Sequence, residues 1–518
     1  MPRLIIDNRE IDVNDGVTIM DAAEKLGIKI PAMCFLKGCE PATSCMLCVV
    51  KVNGSESLLP ACATIAQDGM KVETSSEEIY QARKIALELL LSDHLGDCMA
   101  PCQVICPAGM DIPLMIRQIK AGKLRDAIVT VKQDIPLPAV LGRICPAPCE
   151  NGCRRSNFDQ PVSICLLKRY VADVDLFSDE PYMPVCEPKK DKRIAIVGAG
   201  PAGLSAAYYL LQKGYDCTVY DQNEKPGGML RYSDCSKKLA DEVLEKEISL
   251  IEQLGADLLL KAKIGSSVPI EDLRREFDVV FVAIGEINPD AGESLGLEMG
   301  QNGIKISKAY QTSIPGIFAG GDAVRKRRLA VRSVADGKEA AVAIDQFLSG
   351  SRVTGPQKKF NTRIGKLQDG EIDDFMLLAD NSARLEPSKK EDGFTDDQAR
   401  KEAGRCLHCD CRKADNCKLR QFSYDYQAKP NRYKSKRRSF SQQLQHPDII
   451  YEPGKCIKCG LCIQIATKAK EELGLTFIGR GFDVKVAVPF DKSIAEGLKH
   501  IAEKCVKSCP TAALAFKD

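Results

Sequence analysis

The chain of 518 residues contains no tryptophan and only four histidines. That leaves little material for histidine-based acid–base catalysis or for zinc-hydroxide chemistry. Neither sign of charge is in excess: 73 basic residues face 71 acidic ones, for a net charge of +2. Such a balance argues against a dedicated nucleic-acid binder, which is usually strongly basic. No window of about 18 apolar residues occurs, so no membrane span is expected. The opening stretch MPRLIIDNREIDVND lacks the charged-then-apolar pattern of a secretion signal. The expected location is cytoplasmic, where structural disulfides are rare. What the chain has in abundance is cysteine, 24 residues in tight groups separated by long cysteine-poor stretches. In a reducing compartment such groups read as ligands of metals or clusters.

At the N-terminus two short strands, 3–6 and 9–13, flank an Asp7-Asn8 turn, and Thr18 caps a helix that stops at Gly27. Cys34, Cys45, Cys48 and Cys62 follow, then strand-like stretches at 47–52 and 70–75. This segment resembles the β-grasp [2Fe–2S] domain that opens the large iron–sulfur subunit of complex I and of iron-only hydrogenases. The resemblance implies that these four thiolates hold one [2Fe–2S] cluster. Cys39 stays unassigned.

A helix over 78–92 leads to a second group: His94, Cys98, Cys102, Cys106, Cys145, Cys149, Cys153 and Cys165, interrupted by a helical stretch at 111–133. The runs Cys106-Pro107, Asp111-Ile112-Pro113 and Gly142-Arg143-Ile144-Cys145-Pro146-Ala147-Pro148-Cys149-Glu150 resemble the N-terminal domain of the glutamate synthase small subunit and of dihydropyrimidine dehydrogenase. The resemblance implies a helical domain with two [4Fe–4S] clusters. The expected division is His94, Cys98, Cys102 and Cys153 on one, and Cys106, Cys145, Cys149 and Cys165 on the other. His94 also heads a His-x-x-x-Cys arrangement similar to a complex I cluster motif; the alternative is a histidine that caps a helix end. Lys168, nearer the place of the family's non-cysteine ligand, cannot ligate as a cation.

Residues 193–221 pass from a strand through Gly198, Gly200, Ala202 and Gly203 into a helix, then through a second strand to Asp221. Glycines in this context let backbone approach a pyrophosphate at a helix N-terminus, and the acid can accept from a ribose hydroxyl. Pro226-Gly227-Gly228-Met229-Leu230-Arg231 and Ile317-Phe318-Ala319-Gly320-Gly321-Asp322 resemble flavin-binding stretches of the glutamate synthase small subunit family. The resemblance implies FAD, held by the glycines with Asp221, Gly228, Arg231, Gly321 and Asp322. In that family a nicotinamide-binding domain follows the strand corresponding to 279–285. Here only some 30 residues separate Gly285 from Ile317, with no second Gly-x-Gly-x-x-Gly and no room for a βαβ unit, so the NADPH-binding domain of that family is expected to be missing. Arg325, Lys326, Arg327 and Arg328 read as a solvated charge run or an anion- or partner-docking site.

After a polar stretch, Cys406, Cys409, Cys411 and Cys417 lie within twelve residues of one another and suit one centre, either a [4Fe–4S] cluster or a zinc ion. The basic stretch 429–438 reads as a solvated or partner-facing loop. Cys456, Cys459, Cys462 and Cys509 follow the ferredoxin spacing, with Cys505 left over. The stretch Gly479-Arg480-Gly481-Phe482-Asp483 resembles the corresponding region of iron-only hydrogenases and complex I.

The expected fold is multidomain, α+β and α/β. It runs from a β-grasp ferredoxin domain (1–80) through a helical double-cluster domain (81–185) to a Rossmann-like FAD domain (186–350). A linker with the Cys406–Cys417 site (351–445) and a ferredoxin-like domain (446–518) complete it. The resemblances imply an electron-transfer oxidoreductase subunit with one FAD, one [2Fe–2S] and four [4Fe–4S] clusters. It would serve other redox subunits, of hydrogenase, formate dehydrogenase or transhydrogenase type, and reach ferredoxin or NAD(P)H through a partner. A bifurcating flavin is one form of that role. The competing expectation is a stand-alone NAD(P)H-dependent reductase of the glutamate synthase small-subunit type.

Overall fold

The computed structural model describes all residues except 288–291, 293, 294, 327, 388, 390, 434, 435 and 518, and the side chains of 235, 236 and 482. The chain forms two compact units, each assembled from separated segments. The first comprises 1–99, 359–377 and 409–518; the second comprises 100–358 and 378–408. The chain leaves the first unit after Met99 and returns to it twice.

In the first unit a five-stranded sheet runs in the order Arg9–Asp12, Arg3–Ile6, Lys71–Glu73, Val49–Val52, Leu59–Pro60. Asp7 and Asn8 take positive φ (46° and 65°), the geometry that a two-residue hairpin turn requires. The Thr18 hydroxyl accepts from Asp21 N and starts the helix Ile19–Lys25, whose Ile19, Ala22 and Ala23 close over Leu4, Ile6, Val50 and Val72. Ser76 caps the helix Glu77–Ser92. At the C-terminal end Ile449–Tyr451 pairs antiparallel with Leu514–Phe516, covered by the helices Leu461–Lys468 and Ala502–Ser508. The basic stretch near 432–438 is tied to this unit: Arg432 pairs with Glu88 at 2.9 Å and Arg437 with Glu371 at 2.5 Å, both carboxylates buried. The reading of that stretch as a solvated loop is corrected to this extent; Lys434 and Ser435 lie outside the described residues.

The second unit begins with short helices. The periodic stretch at 111–133 is two helices, Ile112–Lys120 and Leu124–Lys132, broken at Gly122, whose φ of +72° favours glycine. Pro138–Ile144 packs on Ile164–Leu176. Their core is continuous with that of a parallel five-stranded sheet in the order Ile317–Ala319, Val279–Val282, Arg193–Val197, Asp216–Tyr220, Asp257–Leu259. Strand interiors such as Ile194, Ala195, Ile196, Phe281 and Phe318 are fully buried, as a parallel sheet covered on both faces requires. The helices Pro201–Gln212 and Ala330–Leu348 pack against each other on this sheet.

Candidate iron–sulfur and dinucleotide sites

In the loop between the β-grasp helix and the Val49–Val52 strand, Cys34 and Cys45 place their sulfurs 3.3 Å apart, and Cys48 and Cys62 do the same. All four are buried. The hydrogen bond from Cys34 lowers the Cys45 thiol to about 5 and raises its donor. The same exchange raises Cys62 and lowers Cys48. Thiolate is the ligating form, so the pairing prepares the loop for metal.

In the second unit Cys106, Cys145, Cys149 and Cys165 line one cavity together with Lys168. The helix Pro138–Ile144 delivers Cys145 at its end, and Cys165 stands in the first turn of Ile164–Leu176. Burial raises Cys149 to about 12, against the pull of the Lys168 cation. Cys165 shares a hydrogen bond with Cys145, which is lowered to about 6. Lys168 is buried, donates to Leu141 O at 3.2 Å, and is held charged against its burial by the surrounding thiols. The four thiols expected to act together are thus brought together, with a cation among them.

The other expected set is divided. Cys98 belongs to the first unit and neighbours Cys411 and Cys417, whose thiols feel its charge. Cys411 N donates to Cys98 O at 3.4 Å. Cys98 Sγ accepts from Thr362 N at 3.5 Å, and Cys417 Sγ accepts from Arg420 N at 3.5 Å. Burial raises Cys417 to about 12. Burial lowers the His94 imidazole to about 4, with the Lys455 cation adding to the effect, and His94 Nδ1 is inaccessible to solvent and has no hydrogen-bond partner among the described residues.

Cys102, Cys153 and Cys406 lie in the second unit. There Gly152 fits against Pro101 O and Ile105, which a Cβ would meet at 3.2 and 2.5 Å. Arg155 donates to Arg405 O at 2.8 Å, joining the backbone beside Cys153 to that beside Cys406. Cys409 opens the last segment of the first unit. Within the first unit Cys98 stands with Cys411 and Cys417, and Cys406 belongs to the second unit. The boundary between the two units falls between His408 and Cys409.

Cys456, Cys459, Cys462 and Cys509 form the last group. Burial, reinforced by mutual repulsion, raises Cys456 to about 11 and Cys459 to about 12. The same causes raise Cys462. Lys458 N donates to Cys456 Sγ at 3.3 Å. Cys505 is buried 3.8 Å from Cys462 O, a core thiol beside the group. Among the described residues, no three or more His, Cys, Asp or Glu side chains gather as a site for a single metal ion, and no helix is long and apolar enough to cross a membrane.

The dinucleotide turn is built by close backbone contacts. A Cβ on Gly203 would stand 1.9 Å from Gly198 O, and one on Gly228 would stand 2.9 Å from Gly200 Cα. Gly227 N donates to Ala199 O at 2.8 Å, so the 226–231 loop closes over the turn. Asp221 accepts from Ala199 N at 2.7 Å and from Asn223 N at 2.8 Å. Its carboxylate ties the glycine turn to the end of the second strand and keeps lone pairs for a ribose hydroxyl. Gly321 (φ +69°) lies against Ala202, which a Cβ would reach at 2.9 Å. Arg328 N donates to Asp322 at 3.3 Å. Arg231 is engaged by Pro226 O and Asp241. In the basic run Arg325 pairs with Asp336 and Arg328 with Glu286, and Arg327 lies outside the described residues. Between Val279–Val282 and Ile317–Ala319, which pair directly, the described strands are only Met299–Gly300 and Gly303–Ile304.

Three family models match. The 2Fe-2S iron-sulfur cluster binding domain covers residues 3–77. The 4Fe-4S cluster domain II of dihydropyrimidine dehydrogenase covers 92–179. The pyridine nucleotide-disulphide oxidoreductase domain covers 167–337. The chain is 40% identical over 190 residues to the NADPH-Fe(3+) oxidoreductase subunit beta of Geobacter sulfurreducens, covering 36% of this chain and 28% of that one. It is 38% identical over 207 residues to the NADP(+)-dependent formate dehydrogenase subunit beta of Moorella thermoacetica, covering 36% and 29%. It is 35% identical over 190 residues to the NAD-dependent dihydropyrimidine dehydrogenase subunit PreT of Salmonella typhimurium, covering 36% and 45%. The match thus spans less than half of each of these relatives. Among solved structures, an NAD+-reducing [NiFe]-hydrogenase aligns over 100% of this chain and 87% of its own at 11% identity, with a TM-score of 0.36. One chain therefore carries matches to a 2Fe-2S domain, a 4Fe-4S cluster domain and a pyridine nucleotide-disulphide oxidoreductase domain.

Proposed function

We propose that this chain is the electron-transfer subunit of a multi-subunit redox enzyme, carrying one FAD, one [2Fe–2S] and four [4Fe–4S] clusters. The observation that carries the reading lies in the first unit. Cys34 and Cys45 of the first thiol group, Cys417 and Cys459 share one apolar core with Leu87, Leu91 and Leu461. Three candidate centres on one dry core make a relay: burial excludes water, and thiolate-bound clusters are tuned by ligand, charge and exposure. FAD supplies exchange of one or two electrons in the second unit. Gly198, Gly200, Gly203 and Gly228 would admit its pyrophosphate, Asp221 and Asp322 would orient it, and the core shared with the Cys106 group joins it to that centre. The connection of only some 30 residues between Gly285 and Ile317 favours a flavin served by clusters over one served by a nicotinamide bound to this chain.

Anaerobic purification followed by iron and flavin analysis tests the reading. About one FAD and about 18 iron per chain are expected. The isolated chain should reduce its flavin with dithionite but fail to oxidise NADPH with a dye acceptor. Steady NADPH turnover by the isolated chain would restore the stand-alone reductase.

A further inference from the structure

The backbone leaves the first unit after Met99 and re-enters its final segment at Cys409, yet Cys98 O accepts from Cys411 N at 3.4 Å. Exit and re-entry thus lie one hydrogen bond apart, the geometry of a domain inserted where its ends meet. The intervening return of the chain, 359–377, fastens the same spot: Asn361 Oδ1 accepts from Met99 N at 3.0 Å, and Thr362 N donates to Cys98 Sγ. Four metal-ligating side chains stand at this closure. Cys98, Cys411 and Cys417 are near enough for their charges to act on one another. His94 joins them through Lys455, a buried cation that neighbours both His94 and Cys411 and covers Gly96. Among the described residues the solvent-inaccessible Nδ1 of His94 has no hydrogen-bond partner, as a nitrogen kept for a ligand would. Backbone N–H groups from Thr362 and Arg420 already point at two of the sulfurs, the donors that stabilise cluster thiolates.

We propose that His94, Cys98, Cys411 and Cys417 bind a single [4Fe–4S] cluster in the first unit, with two ligands contributed before the inserted second unit and two after it. This rests on the iron–sulfur relay proposed above and assigns one of its centres. Cys417 belongs to the apolar core that also holds Cys34, Cys45 and Cys459, so the centre stands between the [2Fe–2S] loop and the C-terminal group. A histidine ligand raises a cluster's potential relative to the same cluster held by thiolates alone.

Cys98→Ala and Cys411→Ala, singly and together in the full anaerobic chain, test the shared cluster. Each single variant and the double variant should lose the same amount, about four iron per chain, with FAD retained. A loss of about eight in the double variant would assign the two thiols to different clusters and overturn the proposal. His94→Cys is the milder probe and should keep the full iron content while moving one midpoint potential downward. Unchanged potentials would remove His94 from the ligand set and overturn the proposal as stated. Wild-type chain lacking FAD and most of the iron would sink the relay reading instead, a result separable from the ligand assignment.

Discussion

Arg405 Nη2 donates to Asp159 Oδ2 at 3.0 Å, and Arg155 Nε donates to the other oxygen of the same carboxylate at 2.8 Å. Both guanidiniums are fully buried, so Asp159 joins the loop after Cys153 to the turn before Cys406.

Burial works against the Asp159 anion, but the two arginines outweigh it and hold the carboxyl at about 2, below its usual 3.8. A depressed carboxylate contributes stability that is fully present above its unfolded value and is lost as pH falls from about 4 towards 2. Asp159→Asn should lower stability near neutral pH by roughly 1–3 kcal/mol, the scale of charged hydrogen bonds. It should also flatten the acid limb of the curve. Urea denaturation of both proteins between pH 3 and 7 measures this; parallel acid limbs would refute it.

Gly203→Ala puts a methyl 1.9 Å from Gly198 O, with backbone on both sides. FAD content should fall from about one per chain to near zero, while the EPR signal of the N-terminal [2Fe–2S] group persists. Full flavin retention would contradict the cradle described above.

Gly142 has room only for hydrogen: a Cβ there would meet Arg169 Cβ at 2.6 Å and its Cα at 2.9 Å. Gly142→Ala should push the Pro138–Ile144 helix off Ile164–Leu176 and separate Cys145 from Cys165. Overpacking of this kind costs about 1–3 kcal/mol, and about four iron should be lost from the second unit. Iron analysis with thermal unfolding reads both effects; unchanged iron would show that the helices need not touch to form the site.

Lys168 places a buried positive charge beside the Cys106, Cys145, Cys149 and Cys165 thiols. A cation stabilises the reduced, more negative cluster. Lys168→Met should therefore lower that midpoint potential, on the order of 60 mV for about 1.4 kcal/mol. Potentiometric EPR titration checks it; an equal or higher potential would refute the electrostatic role.

Local chemistry was legible in the sequence wherever ligands come from one segment. Cys34 to Cys62 and Cys456 to Cys462 each come from one short stretch of chain, and Cys106 to Cys165 follow one run of helices whose packing gathers them. The glycine turn was equally readable, because close backbone approach leaves no alternative residue at Gly203. Lys168 was excluded as a ligand by its charge, but its place in the cavity comes only from the packing of Ile164–Leu176.

By itself the sequence determined the elements, the parallel dinucleotide sheet and the candidate cysteine groups, because periodicity, caps and short spacings are local. Tertiary structure alone decided which ligands belong together. Cys98 meets Cys411, far from it in sequence, because the chain passes out of one folded unit and back into it. Packing brings the two ends of that excursion side by side, a relation that spacing along the chain does not encode.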